Sequence, residues 1–214
     1  MDLSDLRQEY SDRQFDIGDS HANPHEQFSA WYREAEKAEL LEPNAMVLGS
    51  VDEGNRPCLR TVLLKSFDNQ GFVFFTNYGS RKAKQIEHNP RVSLLFQWLP
   101  LQRQVEISGT VQRIDSEETR KYFLSRPRGS QLGAWVSRQS EVVASRSVLD
   151  ARLAELKQKF GDDEIPVPHF WGGYRVFPDR FEFWQGRPSR LHDRICYESS
   201  GEPGNPWSRQ RLSP

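Results

Sequence analysis

Between residues 45 and 113 the chain is cut into short β-rich runs, and this punctuation restricts the fold more than any other feature. Residues 45–51 are short and apolar, and DEGN at 52–55 is a turn signal. Residues 58–65, CLRTVLLK, form a β-rich run with a basic residue near each end. DNQG at 68–71 turns the chain again before the run at 72–76. Residues 91–98 and 103–113 read as two further strands. The C-terminal third supplies runs at 170–177, 180–185, 190–197 and 207–212, with a loop over 199–206 joining the last two. Strands punctuated every ten or so residues predict an antiparallel meander.

A few helices interrupt this pattern. Asn23 is a good N-cap, Pro24 suits the first helical position, and Glu26 completes a capping-box spacing. Phe28, Trp31 and Ala35 then recur on one face, and the helix must stop before Glu42-Pro43. Gly79-Ser80 opens a short helix over 81–88, ended by Asn89-Pro90. Ser116 is expected to cap a third helix, with Glu117 and Glu118 in its first turn, running to about Ser125 before Pro127. Residues 131–136 read as extended. Residues 145–160 are amphipathic, with Leu149, Leu153, Leu156 and Phe160 on one side, and 162–168 form a loop. Many antiparallel strands with inserted helices give an α+β chain, mainly β, built as a barrel with peripheral helices. A dinucleotide-binding α/β fold is excluded, because there is no GxGxxG and strands do not alternate with long helices.

With 214 residues, 36% hydrophobic and 28% charged, the chain suits a soluble globular protein with one substantial domain, expected over 23–214. Residues 1–22 are polar and weakly periodic, and are expected to form a mobile arm with at most a helical turn at LRQEY, 6–10. A formal net charge of −1 gives no general electrostatic case for nucleic acid. No run approaches the ~20 apolar residues of a membrane span. The start MDLSDLRQEYSDRQFD lacks the basic and apolar segments of a secretory signal. The two cysteines, Cys58 and Cys196, are far apart and form no CxxC, so reduced thiols in the cytoplasm are expected.

HExxH, Walker and GxSxG motifs are absent, and the histidines at 21, 25, 88, 169 and 192 are scattered, so no metal site is expected. If the chain is an enzyme, an organic cofactor carries the hard chemistry. Arg81 and Lys82 occupy the first turn of a helix, where the dipole disfavours cations. A bound phosphate would explain them; so would a solvated surface turn. Arg60 and Lys65 are separated by an odd number, so a regular strand points them to opposite faces. They serve two separate anions or are ordinary strand-end charges. Tyr122 and Arg126 share a helix face, and Ser130 follows after a turn. The three make either a phosphate pocket or a surface stack. Gln104, Gln139 and Ser140 have polar groups suited to a heterocycle edge. In FEFWQGRPSRLHDR, 181–194, an aromatic arm and a cluster of Arg190, His192, Asp193 and Arg194 flank a turn. That combination suits a flat anionic ligand, or a packed barrel hairpin.

RTVLLK (60–65), FFTNYGSRKAKQIEHNPRVSLLF (74–96), RQVEISG (103–109), KYFLSRPRGSQLGAWVSRQS (121–140), FWGGYRV (170–176) and FEFWQGRPSRLHDR together resemble the pyridoxamine/pyridoxine 5′-phosphate oxidases, over nearly the whole chain. The resemblance implies an FMN-binding split β-barrel and a homodimer with FMN at the subunit interface. It implies FMN-phosphate contacts from Arg60, Arg81 and Lys82, and flavin contacts from Thr61, Val62, Leu63, Leu64, Phe75 and Thr76, with Lys65 ending the same run. Gln104, Trp184 and Arg194 match residues near the isoalloxazine ring, and Gln139 and Ser140 match contacts made across the dimer. Lys65, Tyr122, Arg126 and Ser130 match the substrate-phosphate pocket. Arg190 and His192, with Leu191 between them, match residues over the reacting pyridine. Arg7, Gln8, Glu9 and Tyr10 match a segment that can cover the site.

The implied reaction oxidises C4′ of pyridoxamine or pyridoxine 5′-phosphate. A hydride passes to flavin N5, dioxygen reoxidises the flavin with release of hydrogen peroxide, and the amine substrate also yields ammonia. Phenazine-biosynthesis-type flavin oxidases resemble the chain at the flavin residues but not across the Lys65–Tyr122–Arg126–Ser130 set. A non-catalytic flavin- or pyridoxal-phosphate-binding protein is disfavoured by the intact Arg190 and His192 pair.

Overall fold

A computed structural model describes residues 1–3, 5, 9–200 and 206–214. Among these residues nine strands form one sheet: β1 (Ala45–Val51), β2 (Pro57–Leu63), β3 (Ser66–Asp68), β4 (Gly71–Asn77), β5 (Arg91–Trp98), β6 (Arg103–Arg113), β7 (Trp171–Gln185), β8 (Asp193–Ser199) and β9 (Trp207–Leu212). The order is β2-β1-β5-β6-β7-β4-β3, all neighbours antiparallel. Because β3 follows β2 after only Leu64 and Lys65, the chain itself closes the ring. Lys65 N–H donates to Val73 O at 2.8 Å across the closure. β8 and β9 branch off β7 outside this path.

The branch exists because β7 is one strand where the sequence reads as two. Its first part pairs with β4, its last part with β8, and β6 follows almost its whole length. The register shifts between Ser108 and Gly109, opposite Pro178. A proline donates no ladder bond and is tolerated at a bulge. Gly109 is required there: a Cβ would lie 2.1 Å from Phe177 O.

The barrel interior holds Met46, Leu48, Phe72, Phe74, Leu94, Phe96, Val105, Ile107, Phe181 and Phe183, all at most 1% exposed. Helix α1 (Pro24–Lys37) adds Phe28 and Trp31 to this core and ends well short of Pro43. Asn23 caps it as the sequence predicts, accepting from His25 N–H at 2.9 Å. Helix α2 (Arg81–His88) follows Ser80, whose hydroxyl accepts from Ala83 N–H. Helix α3 (Ser116–Ser125) is capped by Asp115 rather than Ser116, the carboxylate accepting from Glu118 N–H at 2.7 Å.

Residues 131–136 are not extended. They belong to helix α4 (Arg128–Val136), which has no side-chain N-cap and is held by burial of Leu132 and Val136. Gln131 also donates to Leu124 O and Arg126 O, tying α4 to the end of α3. Helix α5 (Arg146–Phe160) packs beside α4, and a second cluster of Phe123, Leu132, Phe160, Ile165 and Trp171 fills the space beneath. The arm before α1 is docked from Tyr10 onward. Phe15 is 6% exposed, and its N–H donates to Asp193 Oδ2 at 3.0 Å.

Candidate active site

The sequence-predicted residues fall into two groups. The first lines a cavity of about 640 Å3 between β2, β4 and helices α3 and α4. Lys65, Tyr122, Arg126 and Ser130 are on its wall, as are Thr61, Val62, Leu63, Phe75, Thr76, Lys82 and Gln139. Its floor is aromatic: Phe75 stacks on Tyr122 at 3.9 Å and on Trp171 at 5.3 Å. Gly172 and Gly173 pair with Thr76 and Phe75 across β4 and β7. A Cβ on Gly173 would lie 2.9 Å from the Phe75 ring, so the glycine lets that ring lie against the strand.

The cavity is rich in unmatched cations. Arg126 lies over Trp171 at 4.7 Å, and its buried Nη1 has no hydrogen-bond partner among the described residues. Burial lowers the Arg126 pKa and raises that of Tyr122, each partly offset by the other. Lys82 donates to Thr76 Oγ1 at 3.2 Å, and Thr76 donates on to Gln139 Oε1 at 3.1 Å. Burial and then the field of Arg60 lower the Lys82 pKa. Among the described residues, none of Arg60, Lys65, Arg81, Lys82 and Arg126 forms an ion pair with a carboxylate.

Arg60 and Arg81 adjoin this cavity. Arg60 Nη1 donates to Ser50 Oγ at 2.6 Å and Leu48 O at 3.2 Å, and its Nη2 donates to Gln85 Oε1 at 2.6 Å. Arg81 N–H donates to Ser140 Oγ at 3.1 Å. Gln139 and Ser140 therefore contact Thr76 and Arg81 of their own chain. The loop after α4 brings them back to the end of β4, with Asn77 Nδ2 donating to Ser137 O at 3.1 Å. The Leu64 side chain is 4% exposed in the core, and its N–H and C=O are bonded to Asn44.

The second group lies on the other part of the sheet. Gln104 pairs with Trp184, and Trp184 with Arg194, so β6, β7 and β8 set these three in one row. Directly paired residues share a face with Cβ atoms about 5 Å apart. Arg194 is fixed there: Nε and Nη2 donate to Glu182 Oε1 at 2.8 and 2.7 Å, and Nη1 donates to Ser213 O at 2.7 Å. Burial opposes the Glu182 charge, but Arg180 and Arg194 outweigh it and hold the carboxyl below its ordinary pKa.

Between β7 and β8, Ser189 and Arg190 have φ of 55° and 61°. Side chains disfavour this left-handed region. The turn thereby leaves Arg190 and Leu191 exposed beside half-buried His192. The His192 ring is 4.6 Å from Trp184, and its Nδ1 accepts from Arg187 N–H at 3.1 Å. The neutral ring consequently carries its proton on Nε2 and offers a donor. Burial and then Arg190 lower its pKa, against the pull of Asp193. Tyr10 meets Trp184 and His192 edge-on at 5.8 and 5.2 Å, while Glu9 is exposed. Arg7 and Gln8 lie outside the described residues.

None of Gln104, Trp184, Arg190, His192 and Arg194 lines the 640 Å3 cavity. Trp171 on the cavity wall and Trp184 in the row stand at opposite ends of β7, separated by roughly 40 Å of strand. Sequence reasoning missed the residues that hold these groups in place: Ser50 and Gln85 behind Arg60, Glu182 behind Arg194, and Arg187 behind His192. Only Glu182 carries a signal, as a lone acid between two core phenylalanines.

The donors fit a flat ring carrying anionic groups. An aromatic floor, a buried Arg126 Nη1 without an acceptor and a similarly orphaned Gln85 Nε2 are what a flavin phosphate and a second phosphate would complete. A family profile described as "Pyridoxamine 5'-phosphate oxidase" matches residues 32–160. The chain belongs to this family. A second profile of the family, described as "Pyridoxine 5'-phosphate oxidase C-terminal dimerisation region", matches 171–214. Among relatives, the pyridoxine/pyridoxamine 5′-phosphate oxidase of Crocosphaera subtropica is 56% identical, and that of Rippkaea orientalis 55%, each over the full length of both chains. The crystal structure of PhzG from Burkholderia lata 383, in complex with tetrahydrophenazine-1-carboxylic acid, superposes with a TM-score of 0.87 at 29% identity, covering 95% of this chain and 98% of that one. A pyridoxamine 5′-phosphate oxidase-related, FMN binding protein from Nostoc punctiforme shares the fold, with a TM-score of 0.69 at 16% identity over 89% of this chain and 98% of that one. The split barrel expected from the sequence is the fold of this family.

Proposed function

We infer that this oxidase converts pyridoxine and pyridoxamine 5′-phosphates to pyridoxal 5′-phosphate, with FMN as cofactor. The observation that carries the substrate assignment is Lys65, Tyr122, Arg126 and Ser130 on one cavity wall beside Thr76 and Gln139. When bound, FMN supplies a hydride acceptor that dioxygen regenerates, giving hydrogen peroxide. The chain's own residues bind and orient. Arg60, Arg81 and Lys82 would hold the cofactor phosphate, and Lys65, Arg126 and Ser130 the substrate phosphate. Gln104, Trp184 and Arg194 would meet the flavin ring. Arg190 and His192 would lie over the substrate, His192 donating through Nε2 rather than taking up a proton. This task is positioning and electrostatics.

The roughly 40 Å of β7 between the two groups supports a homodimer in which each site joins the cavity of one protomer to the hairpin of the other. Tyr10, edge-on to Trp184 and His192, supports a reading of the N-terminal arm as a cover over the hairpin. No helix among the described residues is long and apolar enough to cross a membrane, in keeping with a cytoplasmic enzyme.

The likeness to PhzG favours one second reading, oxidation of a reduced phenazine. Relatives above 50% identity over the whole chain favour the B6 reading. Oxygen uptake by the FMN-loaded protein with pyridoxine 5′-phosphate and with a dihydrophenazine carboxylate decides between them. Turnover of the first alone is expected; turnover of the second alone reverses the assignment.

A further inference from the structure

Gln85 lies one helical turn beyond Arg81 on α2 and is 4% exposed. Its Oε1 accepts from Ser50 Oγ at 2.8 Å and from Arg60 Nη2 at 2.6 Å. Two donors on one end of the amide fix its orientation, so the other end is the NH2 group. That Nε2 is buried and has no hydrogen-bond partner among the described residues. A buried donor left unmatched is costly, and such groups are rare in native proteins. Its surroundings say what would match it. Arg81, Lys84 and Ser140 share with Gln85 a depression of about 390 Å3, which Arg56 and the carboxylates Asp52, Glu53 and Glu141 also line. Arg60 and Lys82 stand close enough for the field of one to lower the pKa of the other. The cations on the inner side of the amide, Arg60 which it holds and Lys82 beyond it, favour an anionic acceptor there.

We propose that Gln85 Nε2 donates to the phosphate of the flavin cofactor, while Oε1 and Ser50 fix Arg60 against the same phosphate. Gln85 is then a cofactor-binding residue and Ser50 a positioning residue. The proposal rests on the FMN reading above. The rival explanation is that Gln85 only props up Arg60.

Gln85→Glu keeps both acceptor bonds, to Ser50 and to Arg60, but removes the donor and adds a negative charge. Gln85→Met in an Arg60→Met background separates the two readings, because a mere prop then has nothing to hold and FMN affinity would fall no further. Apoprotein is titrated with FMN and with riboflavin by flavin fluorescence quenching, and its melting is followed in parallel. FMN affinity is expected to fall about tenfold to a hundredfold, the loss of one hydrogen bond to a charged group. Riboflavin affinity should stay within about twofold of wild type by the same accounting. Gln85→Met, which loses donor and acceptor without adding charge, should also weaken FMN binding selectively and covers the case in which the glutamate variant does not fold. FMN affinity at the wild-type level in either folded variant overturns the proposal. So does an equal loss for FMN and riboflavin, which would mean a damaged ring pocket. A wild-type chain that takes up no FMN is a distinct result and removes the cofactor reading itself.

Discussion

Arg126 is predicted to be destabilising in the ligand-free enzyme and indispensable for substrate affinity, and Arg126→Met separates the two effects. Its Nη1 is buried without an acceptor, and burial lowers the pKa of the group. Removing an unmatched buried donor should return about 1–3 kcal/mol. Against that stands the cation–π contact with Trp171 at 4.7 Å, worth about 0.5–1 kcal/mol at a partly exposed site. Methionine keeps a long apolar stem against the same ring. The net expectation is a gain of about 0–2 kcal/mol, or a rise in Tm of up to roughly 8 °C for a chain of this size. With substrate present the sign reverses. A guanidinium–phosphate hydrogen bond contributes about 1.5–3 kcal/mol, so KM for pyridoxine 5′-phosphate should rise about tenfold to a hundredfold. Phosphate binding is equal in ground and transition states, so kcat should change much less. The assay is initial-rate oxygen uptake over a range of substrate, beside thermal melting of the FMN-loaded protein. A variant that melts several degrees lower while keeping its KM within about twofold would show that Arg126 is a structural residue.

Two further outcomes follow from the same geometry. His25 is 6% exposed between Phe72, Phe181 and Trp207, its Nε2 has no partner, and burial lowers its pKa to about 4. The unfolded chain takes up this proton near the ordinary value of 6.5 and the folded chain does not. Stability should therefore be constant above about pH 6.5 and fall by at most about 3 kcal/mol between there and pH 4; in urea melts, His25→Phe should flatten that window, and an unchanged slope would contradict it. Ser189 is held at φ 55° without being a glycine, so Ser189→Gly should raise stability by up to about 1 kcal/mol in urea melts, and a drop would show that the serine side chain holds the turn.

Much of the barrel is legible in the sequence because turn residues bound each strand, and β1, β5, β6, β9 and α2 fall where the punctuation puts them. The continuity of β7 is hidden by Pro178-Asp179, which imitates a strand end. The resolving feature, Gly109 opposite it, lies on another strand. Helix α4 is hidden by Gly129, Gly133, Trp135 and Val136, poor helix formers that tertiary packing holds in place. The two phosphate-type groups are legible as cations out of place: Arg81 and Lys82 at a helix start, and Arg60 and Lys65 on opposite faces. Gln85 and Ser50 are not, since neutral side chains show their role only once a fold sets them behind Arg60. Nor does sequence order reveal that Trp184 stands far along the same strand from Trp171.

The central claim is that each site joins the cavity of one protomer to the hairpin of another, and subunit complementation tests it most directly. Lys65→Ala damages the cavity and Arg190→Ala the hairpin, so each homodimer should bind FMN but turn over poorly. Mixed dimers would contain one site with both lesions and one with neither. Random reassortment makes half the dimers mixed, and the mixture should regain about a quarter of the wild-type rate. A mixture no more active than its two parents, with mixed dimers shown to have formed, would mean that each site is built from a single chain.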